Sequence, residues 1–345
     1  MSSNSEEPKF TVDQLLEKSQ DLVDDGNLEL ALQLCAHAGQ MEADNTKVLL
    51  QAATIQLEMG DIEPAYNCLM KCVDIEPDKG YVKYLYLGQL SGGLEAINYF
   101  QKGIEIMMKD LKSANPNSSE QKDLKRKAAE AHISITDIYL TDCCFEEDAE
   151  KQCEANLDKA IEIDPECPDI YQTYASVRLS QTRVDDAKAC LQKSIDLWKD
   201  LEPGHPNIPS YDTRISLVRL FLECQLHEDA LDLLEALQKE NDQSVDLWYL
   251  YGWTYFIQGE DVDSQEEKHR VWKDSRTCLL RGLKLAVQQE YDDKALVDHS
   301  NELINSIEKE FPNVVEEGEE EDAGQTDTKG DWEDMDSDDE METEN

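Results

Sequence analysis

The sequence predicts an all-α fold: a right-handed superhelix of about seven helical hairpins, closed by a capping helix and followed by an acidic tail. Residues 46–79 contain two helix-like apolar patterns, separated by Gly60 and Asp61 and ended by Pro77. The same pattern occurs 34 residues earlier. Related patterns follow along the rest of the chain. A helix–turn–helix unit of 34 residues is the period of a tetratricopeptide repeat.

The first two units share one register. Five pairs of small or apolar residues lie 34 positions apart: Leu15 and Leu49, Gly26 and Gly60, Ala31 and Ala65, Cys35 and Leu69, and Ala38 and Cys72. Both glycines lie where the chain turns between helices, so a positive φ is expected there. A single coincidence would mean little, whereas five in one register indicate a repeat.

The later units depart from this spacing. The third (residues 81–110) turns early at Ser91-Gly92-Gly93, which predicts a connection about one helical turn short. The fourth has a wide acidic connection over 142–148, and a proline-rich loop over 201–209 precedes the sixth. The seventh begins with Trp248 in a W-x2-Y-G-x2-Y pattern, and its turn is predicted to be widened over 261–268. Residues 291–311 are predicted to form the helix that caps the last repeat.

Composition divides the chain into three parts: a disordered N-terminus (1–10), the repeats (11–311) and a disordered acidic tail (312–345). The tail holds 16 acidic residues and one lysine, too little apolar surface to offset the entropy of ordering. That leaves 61 of the chain's 77 acidic residues in 1–311, so the predicted repeat domain is acidic too. The net charge of −45 favours basic partners over nucleic acid or anionic membranes.

Motifs for catalysis or cofactor binding are absent from the sequence. The six histidines are scattered without an H-E-x-x-H arrangement, and no phosphate-binding glycine motif or G-x-S-x-G is present. The ten cysteines form no Cys-x-x-Cys pair and many lie in helical patterns, which favours reduced core residues. We therefore expect a non-enzymatic protein without cofactor or metal. Without an evident signal peptide or membrane span, the cytoplasm and nucleus are the expected location.

A binding surface is expected on the first helix of each hairpin, because these helices line the concave side of stacked hairpins. Residues one turn from the packing positions should point into this groove. The spacing selects Lys47, Thr54, Glu58, Asp137, Asp169, Gln172, Ser176, Asp212, Arg219, Glu223, Asp246, Tyr249 and Trp253. Capture of a carboxylate, as in heat-shock co-chaperones, would need cations at these positions. Acids and aromatics instead predict an extended basic client, with Tyr249 and Trp253 stacking on guanidinium groups.

The sequence also resembles a family. Three stretches carry the resemblance: 84–107 (YLYLGQLSGGLEAINYFQKGIEIM), 135–154 (ITDIYLTDCCFEEDAEKQCE) and the acidic C-terminus. They resemble the fungal assembly chaperones of large-subunit ribosomal protein four, over essentially the whole chain. This resemblance implies a tetratricopeptide superhelix that captures the new ribosomal protein, chiefly its long internal loop. It also implies that the chaperone keeps this client soluble and accompanies it into the nucleus.

Two other functions compete with this interpretation. A histone chaperone with interrupted repeats is also acidic and nuclear, although its acidic block interrupts a repeat. A scaffold for a multi-protein complex would have several partners and little dependence on their charge. The basic cluster over 122–127 (KDLKRK) is either the solvated face of a helix or a nuclear-import signal, and Ser337 is a candidate for an acidophilic kinase.

Overall fold

The computed structural model describes residues 10–312, and this range contains fifteen helices and no strand. The helices are α1 Val12–Asp24, α2 Leu28–Met41, α3 Thr46–Glu58, α4 Ile62–Ile75, α5 Val82–Leu90, α6 Gly93–Ser113, α7 Ser119–Leu140, α8 Ala149–Ile163, α9 Pro168–Ser180, α10 Val184–Asp196, α11 Tyr211–Glu223, α12 His227–Glu240, α13 Val245–Asp261, α14 Gln265–Gln288 and α15 Lys294–Glu310. The predicted all-α fold of helical hairpins is confirmed. Among the described helices, none combines the length and apolarity needed to span a bilayer.

The described residues form two compact units, one ending at Thr213 and the other beginning at Arg214. In the first unit, α1–α10 pair as five hairpins, and each hairpin packs on the next through its second helix. In the second, α13 and α14 pair, and α15 packs on both as the predicted cap. Arg214 of α11 donates to Glu240 of α12 at 2.8 Å. Apart from Phe10 and Pro312, the predicted disordered N-terminus and tail lie outside the described residues.

One small residue sits at the same position of most second helices. The fourth residue is a fully buried alanine in five of them: Ala31, Ala65, Ala96, Ala187 and Ala230. In α8 the fifth residue, Cys153, takes this place four residues before Leu157, and it is 2% exposed. A side chain of this size lets neighbouring helices approach closely, and leucines one turn later, such as Leu69 and Leu191, fill the remaining space. All ten cysteines are free thiols: six are buried, Cys68, Cys190 and Cys278 are partly buried, and Cys144 is exposed.

Turn geometry supports the predicted register. Gly26 and Gly60 have φ values of +76° and +82°, which confirms the positive φ expected at both turns. Thr182 and Gln225 occupy the corresponding turns of later hairpins, with φ values of 59° and 58°. A β-branched residue rarely adopts this conformation, so the turn at Thr182 is strained. The short turn is therefore kept even where its preferred residue is missing.

Aromatic donors near the start of three first helices close the loop that precedes each of them. The Tyr84 hydroxyl donates to the Pro77 carbonyl at 2.6 Å, and the Tyr171 hydroxyl donates to the Pro165 carbonyl at 3.1 Å. In the seventh hairpin, Trp248 Nε1 donates to the Asp242 carbonyl at 2.7 Å. These bonds satisfy carbonyls that have no partner within a helix. The repeat pattern that begins at Trp248 thus has a hydrogen-bonding role as well as a packing role.

Two predicted irregularities lie elsewhere than expected. In the third unit the missing turn comes from α5, which has 9 residues against 13 in α3, while the connection at Ser91-Gly92 is only slightly shorter than the others. The widened turn predicted over 261–268 is wrong, because α13 continues to Asp261 and α14 begins at Gln265. The additional residues lengthen the two helices. The wide acidic connection of the fourth unit is confirmed, since residues 141–148 separate α7 from α8.

The contact between α5 and α6 generates a stability prediction. A Cβ at Gly88 would lie 2.7 Å from Phe100 Cε2, which is closer than a Cβ can approach an aromatic ring without displacing it. Gly88→Ala should therefore destabilise the fold by about 1–3 kcal/mol, despite the better helix propensity of alanine. Urea denaturation followed by circular dichroism measures this change.

Gly39→Ala is the matched control, because a Cβ there would meet only Val48 Cγ1, at 3.8 Å. This variant should be neutral or more stable by up to about 1 kcal/mol. Equal effects of the two substitutions would contradict the close helix approach at Gly88.

Candidate functional site

The predicted binding residues lie on first helices, but the structure gives them different surroundings. On α3, Lys47 and Glu58 are exposed, and the half-buried Thr54 donates its hydroxyl to the Leu50 carbonyl at 2.8 Å. The hydrogen bond of the Thr54 hydroxyl is therefore made within its own helix. This part of the predicted face presents one acid and one base, so it has little preference for a cationic ligand.

The strongest acidic surroundings lie on α7. Glu130 and Asp137 are seven residues apart, which puts them on one side of the helix. Both side chains are exposed, yet enough protein surrounds Asp137 to raise the pKa of its carboxyl to about 6 by desolvation. Desolvation also raises the pKa of Glu130, an effect opposed by Arg126 and reinforced by Asp169. A carboxyl group that is exposed to solvent and yet partly desolvated by surrounding protein is expected in a concave site.

Asp169 on α9 extends this acidic region, because α9 packs against α7. Burial raises the pKa of the Asp169 carboxyl, and nearby Arg126 opposes the shift. Its Oδ1 is buried and has no hydrogen-bond donor among residues 10–312. We define Glu130, Asp137 and Asp169 as the α7–α9 acidic face. Sequence spacing identified Asp137 and Asp169 but missed Glu130, which lies two turns before Asp137 on the same side of α7.

Gln172 was predicted to face the groove, but only 8% of its surface is exposed. Its Nε2 donates to the Thr213 carbonyl at 3.0 Å, which ties α9 to the start of α11. Ser176, one turn further on, is half-buried. The prediction of Gln172 as an exposed contact is therefore corrected: the amide holds a backbone carbonyl in place.

Arg126 is a supporting residue that sequence spacing did not find. Its Nε donates to Asp164 Oδ2 at 2.6 Å, and its Nη2 donates to Asn207 Oδ1 at 3.1 Å. These bonds connect α7 to the loops after α8 and before α11. Since its partners are 38 and 81 residues away, no local pattern could indicate them.

The predicted basic cluster (122–127) lies in the N-terminal half of α7, and Arg126 within it is committed to these bonds. Lys122, Lys125 and Lys127 are exposed on the helix. The helical placement agrees with the interpretation as a solvated helix face. Its use as an import signal stays a prediction.

In α11 and α13 the predicted charges are partly neutralised within the protein. Asp246 accepts from Arg219 Nη2 at 2.5 Å and from the Tyr291 hydroxyl at 2.7 Å. Asp212 and Glu223 are exposed at opposite ends of α11. Asp246 and Arg219 form an ion pair with each other, so neither is a free charge, and their position on the groove stays a prediction. Asp212 and Glu223 keep accessible carboxylates.

The aromatic pair on α13 is covered by the capping helix. Tyr249 is 9% exposed, and its hydroxyl lies 2.8 Å from Nδ1 of His299 on α15. Trp253 is half-buried, with the His299 ring edge-on at 5.8 Å. The expected stacking of Tyr249 on a client is therefore corrected, because the cap occupies that surface. Trp253 retains part of its ring for contact.

No group of three or more histidine, cysteine or acidic side chains in the described part of the chain is arranged to hold a metal ion. The features that remain for recognition are the α7–α9 acidic face and the exposed acids Glu58, Asp212 and Glu223. The α7–α9 acidic face by itself fits a ligand with several positive charges along an extended chain.

Comparisons with known proteins place this geometry in context. The profile of the tetratricopeptide repeat family matches residues 22–86. A protein of Emericella nidulans described as "Probable assembly chaperone of rpl4" is 32% identical over 94% of this chain and 88% of its own length. One of the same description from Schizosaccharomyces pombe is 30% identical over 94% of this chain and 98% of its own length. The solved structure of "Assembly Chaperone of RpL4 (Acl4)" aligns with a TM-score of 0.67 at 32% identity, over 73% of this chain and 98% of that one.

The pKa of Asp137 generates a prediction about stability and pH. A folded-state pKa near 6 exceeds the unfolded value of about 3.9, so the ionised carboxylate destabilises the fold above pH 6. This penalty is lost as pH falls through 6 towards 4. Asp137→Asn should therefore stabilise the protein at pH 7.5 by up to about 1 kcal/mol, a figure reduced for solvent screening, and by less at pH 5.0.

Urea denaturation at pH 7.5 and pH 5.0 measures the difference. Glu162→Gln is the matched control, since Glu162 is exposed on α8 and its replacement removes the same charge. If both variants change the free energy of unfolding equally at both pH values, the desolvated state of Asp137 is refuted.

Proposed function

Since the chain belongs to the family of fungal assembly chaperones of rpl4, we propose that it binds the newly made large-subunit ribosomal protein four. The chaperone keeps this basic client soluble and delivers it for ribosome assembly. Binding rather than chemistry is its activity, and no cofactor takes part. The client segment is extended and basic, and the long internal loop implied by the family resemblance is such a segment.

The observation that carries this proposal is the α7–α9 acidic face. Its three carboxyl groups have raised pKa values because protein has displaced part of their solvent. Part of the desolvation cost of an ion pair is therefore met within the folded chaperone before the client arrives. A lysine or arginine of the client then interacts with these carboxylates at a lower effective dielectric than in bulk water. The three carboxylates are therefore preorganised to bind a cation.

Charge also acts at longer range. The net charge of −45 attracts a cationic client and raises the rate of encounter. Screening over about 8 Å at physiological salt should weaken this attraction as salt is added. In this proposal the acidic segment 312–345, which lies outside the described residues after Pro312, contributes to the attraction and shields the client from nucleic acid. The protein acts in both cytoplasm and nucleus, and import machinery is a further partner.

Two features support one dedicated basic client over a general scaffold. The chain resembles the two rpl4 chaperones over 94% of its length, so the likeness extends beyond a generic repeat. The acidic face also has a strong preference for positive charge, whereas a scaffold would bind partners regardless of charge. A histone chaperone remains the alternative basic-client function that an experiment has to exclude.

Identification of the partner is the first test. Affinity purification of the full chain from its own cells should recover ribosomal protein four in stoichiometric amount, because both proteins persist as a soluble complex before assembly. Mass spectrometry of the eluate measures this ratio. Recovery of histones as the stoichiometric partner would refute the proposal.

A triple neutralisation of the acidic face tests the binding site. Glu130→Gln, Asp137→Asn and Asp169→Asn together should weaken binding of purified ribosomal protein four at least tenfold, because charge-assisted hydrogen bonds to the client are lost. Isothermal titration calorimetry at 50 and 300 mM salt measures the affinity, and the wild-type protein should show the steeper salt dependence.

The matched control carries Asp74→Asn, Glu162→Gln and Asp185→Asn, three exposed acids on the second helices α4, α8 and α10. It changes the net charge by the same amount, so a loss of affinity of no more than about twofold is expected. If the control weakens binding as much as the face variant, attraction is diffuse and the assigned site is wrong.

A further inference from the structure

The connection between α7 and α8 presents an aromatic side chain to solvent. Phe145 is 98% exposed, whereas Phe100 and Phe221 are 4% and 1% exposed. Among the large apolar side chains of the described residues, Phe145 has the greatest exposure, followed by Val287 at 81%. An aromatic ring held wholly in water gains nothing from folding, and it is the kind of residue that anchors protein contacts.

The backbone of this connection is held in place by packing and hydrogen bonds. Cys143 is buried in a core cluster with residues of α6 and α7, including Ile97 and Ile135. The Cys143 backbone N–H donates to the Ile138 carbonyl at 2.9 Å, and the Glu146 N–H donates to the Cys143 carbonyl at 3.1 Å. The ring of Phe145 is therefore presented from an anchored backbone.

A second anchor comes from the shortened third hairpin. The Gly93 backbone N–H donates to Asp142 Oδ2 at 3.1 Å, at the first residue of α6. Gly93 has a φ of +54°, and a Cβ there would lie 3.9 Å from Cys143 Sγ. The early turn of the third hairpin and the wide connection of the fourth thus dock on each other. This contact joins two irregular stretches that are 49 residues apart.

The surroundings of Phe145 are acidic. Glu146, Glu147 and Asp148 follow it directly and are all exposed. Asp148 already pairs with Lys151 at 2.9 Å, which leaves the two glutamates as the available charges. An aromatic face beside carboxylates suits a guanidinium group, which stacks on a ring and forms paired hydrogen bonds to a carboxylate.

Building on the function proposed above, we propose that Phe145, Glu146 and Glu147 form a second client site, which binds an arginine of ribosomal protein four. The guanidinium stacks on the Phe145 ring and pairs with one of the two glutamates. An arginine is favoured over lysine because its planar group makes both contacts at once. This site adds aromatic recognition to the charge attraction of the α7–α9 acidic face.

The two sites are continuous along α7. Glu130 and Asp137 lie on the helix that ends at Leu140, directly before the loop. From Glu130 to Leu140 the helix advances about 15 Å, which an extended chain covers in about five residues. A client segment with basic residues on the acidic face therefore reaches Phe145 with an arginine a few residues further along.

Substitution of Phe145 tests the site with full-length ribosomal protein four as the probe. Phe145→Ser should weaken binding about five- to tenfold and leave the thermal midpoint unchanged, since the side chain is 98% exposed. Val287→Ser removes the other highly exposed apolar side chain and should leave the affinity unchanged. Calorimetry gives the affinity of each variant, and circular dichroism gives the midpoint.

Two further variants identify the chemistry of the contact. Phe145→Trp should retain affinity, because indole is the best ring for a stacked cation. Phe145→Leu should lose affinity nearly as much as Phe145→Ser, since leucine keeps apolar surface without an aromatic face. Full binding by Phe145→Leu would overturn the assignment of an arginine.

The outcomes separate this inference from the proposed function. If the wild-type chain fails to bind ribosomal protein four, the proposed function is overturned, and this inference with it. If wild type binds and Phe145→Ser binds equally well, only the second site is overturned. A second copy of this chain is the other possible ligand of the Phe145 surface, and light scattering tests for it. If Phe145→Ser abolishes self-association and leaves the client affinity unchanged, the surface binds a second copy and the inference is overturned.

Discussion

A helical hairpin has two apolar faces, and it can bury only part of them within itself. A hairpin therefore depends on a neighbour, and in most second helices one small residue sets the distance of approach. Ala65 illustrates the constraint, because its position is fully buried and Leu69 packs one turn later. Where hairpins end, α15 supplies the covering surface, and its His299 lies against Tyr249 and Trp253. The cap therefore uses the aromatic surface that would otherwise be available for binding.

Packing leaves one side of the first helices to carry charge, and charge on an enclosed surface is costly. Asp137 shows the conflict: its carboxylate is accessible, but protein around it raises its pKa to about 6. Arg126 limits the cost near Glu130 and Asp169 without removing it, because its own hydrogen bonds go to Asp164 and Asn207. Under the proposed function, the basic client supplies the cations that these acids lack. In α11 and α13 the chain instead neutralises itself, through the ion pair of Arg219 and Asp246.

The irregular third and fourth hairpins contact each other. A helix shortened to nine residues and a loop lengthened over 141–148 look like unrelated changes in the sequence. In the folded chain, Asp142 accepts from the backbone of Gly93, and Cys143 enters the core beside it. The repeats that depart from the 34-residue period thus build a local structure that regular hairpins do not offer.

The sequence by itself determined the class of fold, the register of the hairpins and the acidic character of the predicted face. These properties follow from local rules: apolar spacing defines a helix face, glycine permits the turn at Gly60, and charge is additive along the chain. The family also followed from sequence, because whole-chain resemblance and the shortened hairpin are visible without coordinates. The spacing on α7 and α9 also selected Asp137 and Asp169, whose role in binding stays a prediction.

Only the tertiary structure decided which predicted residues are available and which are already engaged. Tyr249 is covered by a helix 50 residues away, Asp246 is paired with Arg219, and Gln172 holds the Thr213 carbonyl. Local spacing contains no information about such partners, since they lie on other helices, 27 to 50 residues away. For the same reason, the sequence did not predict the hydrogen bonds of Arg126 or the contacts that anchor the Phe145 loop. Periodicity specifies the direction of a side chain from its helix, whereas the neighbouring hairpins decide what it meets there.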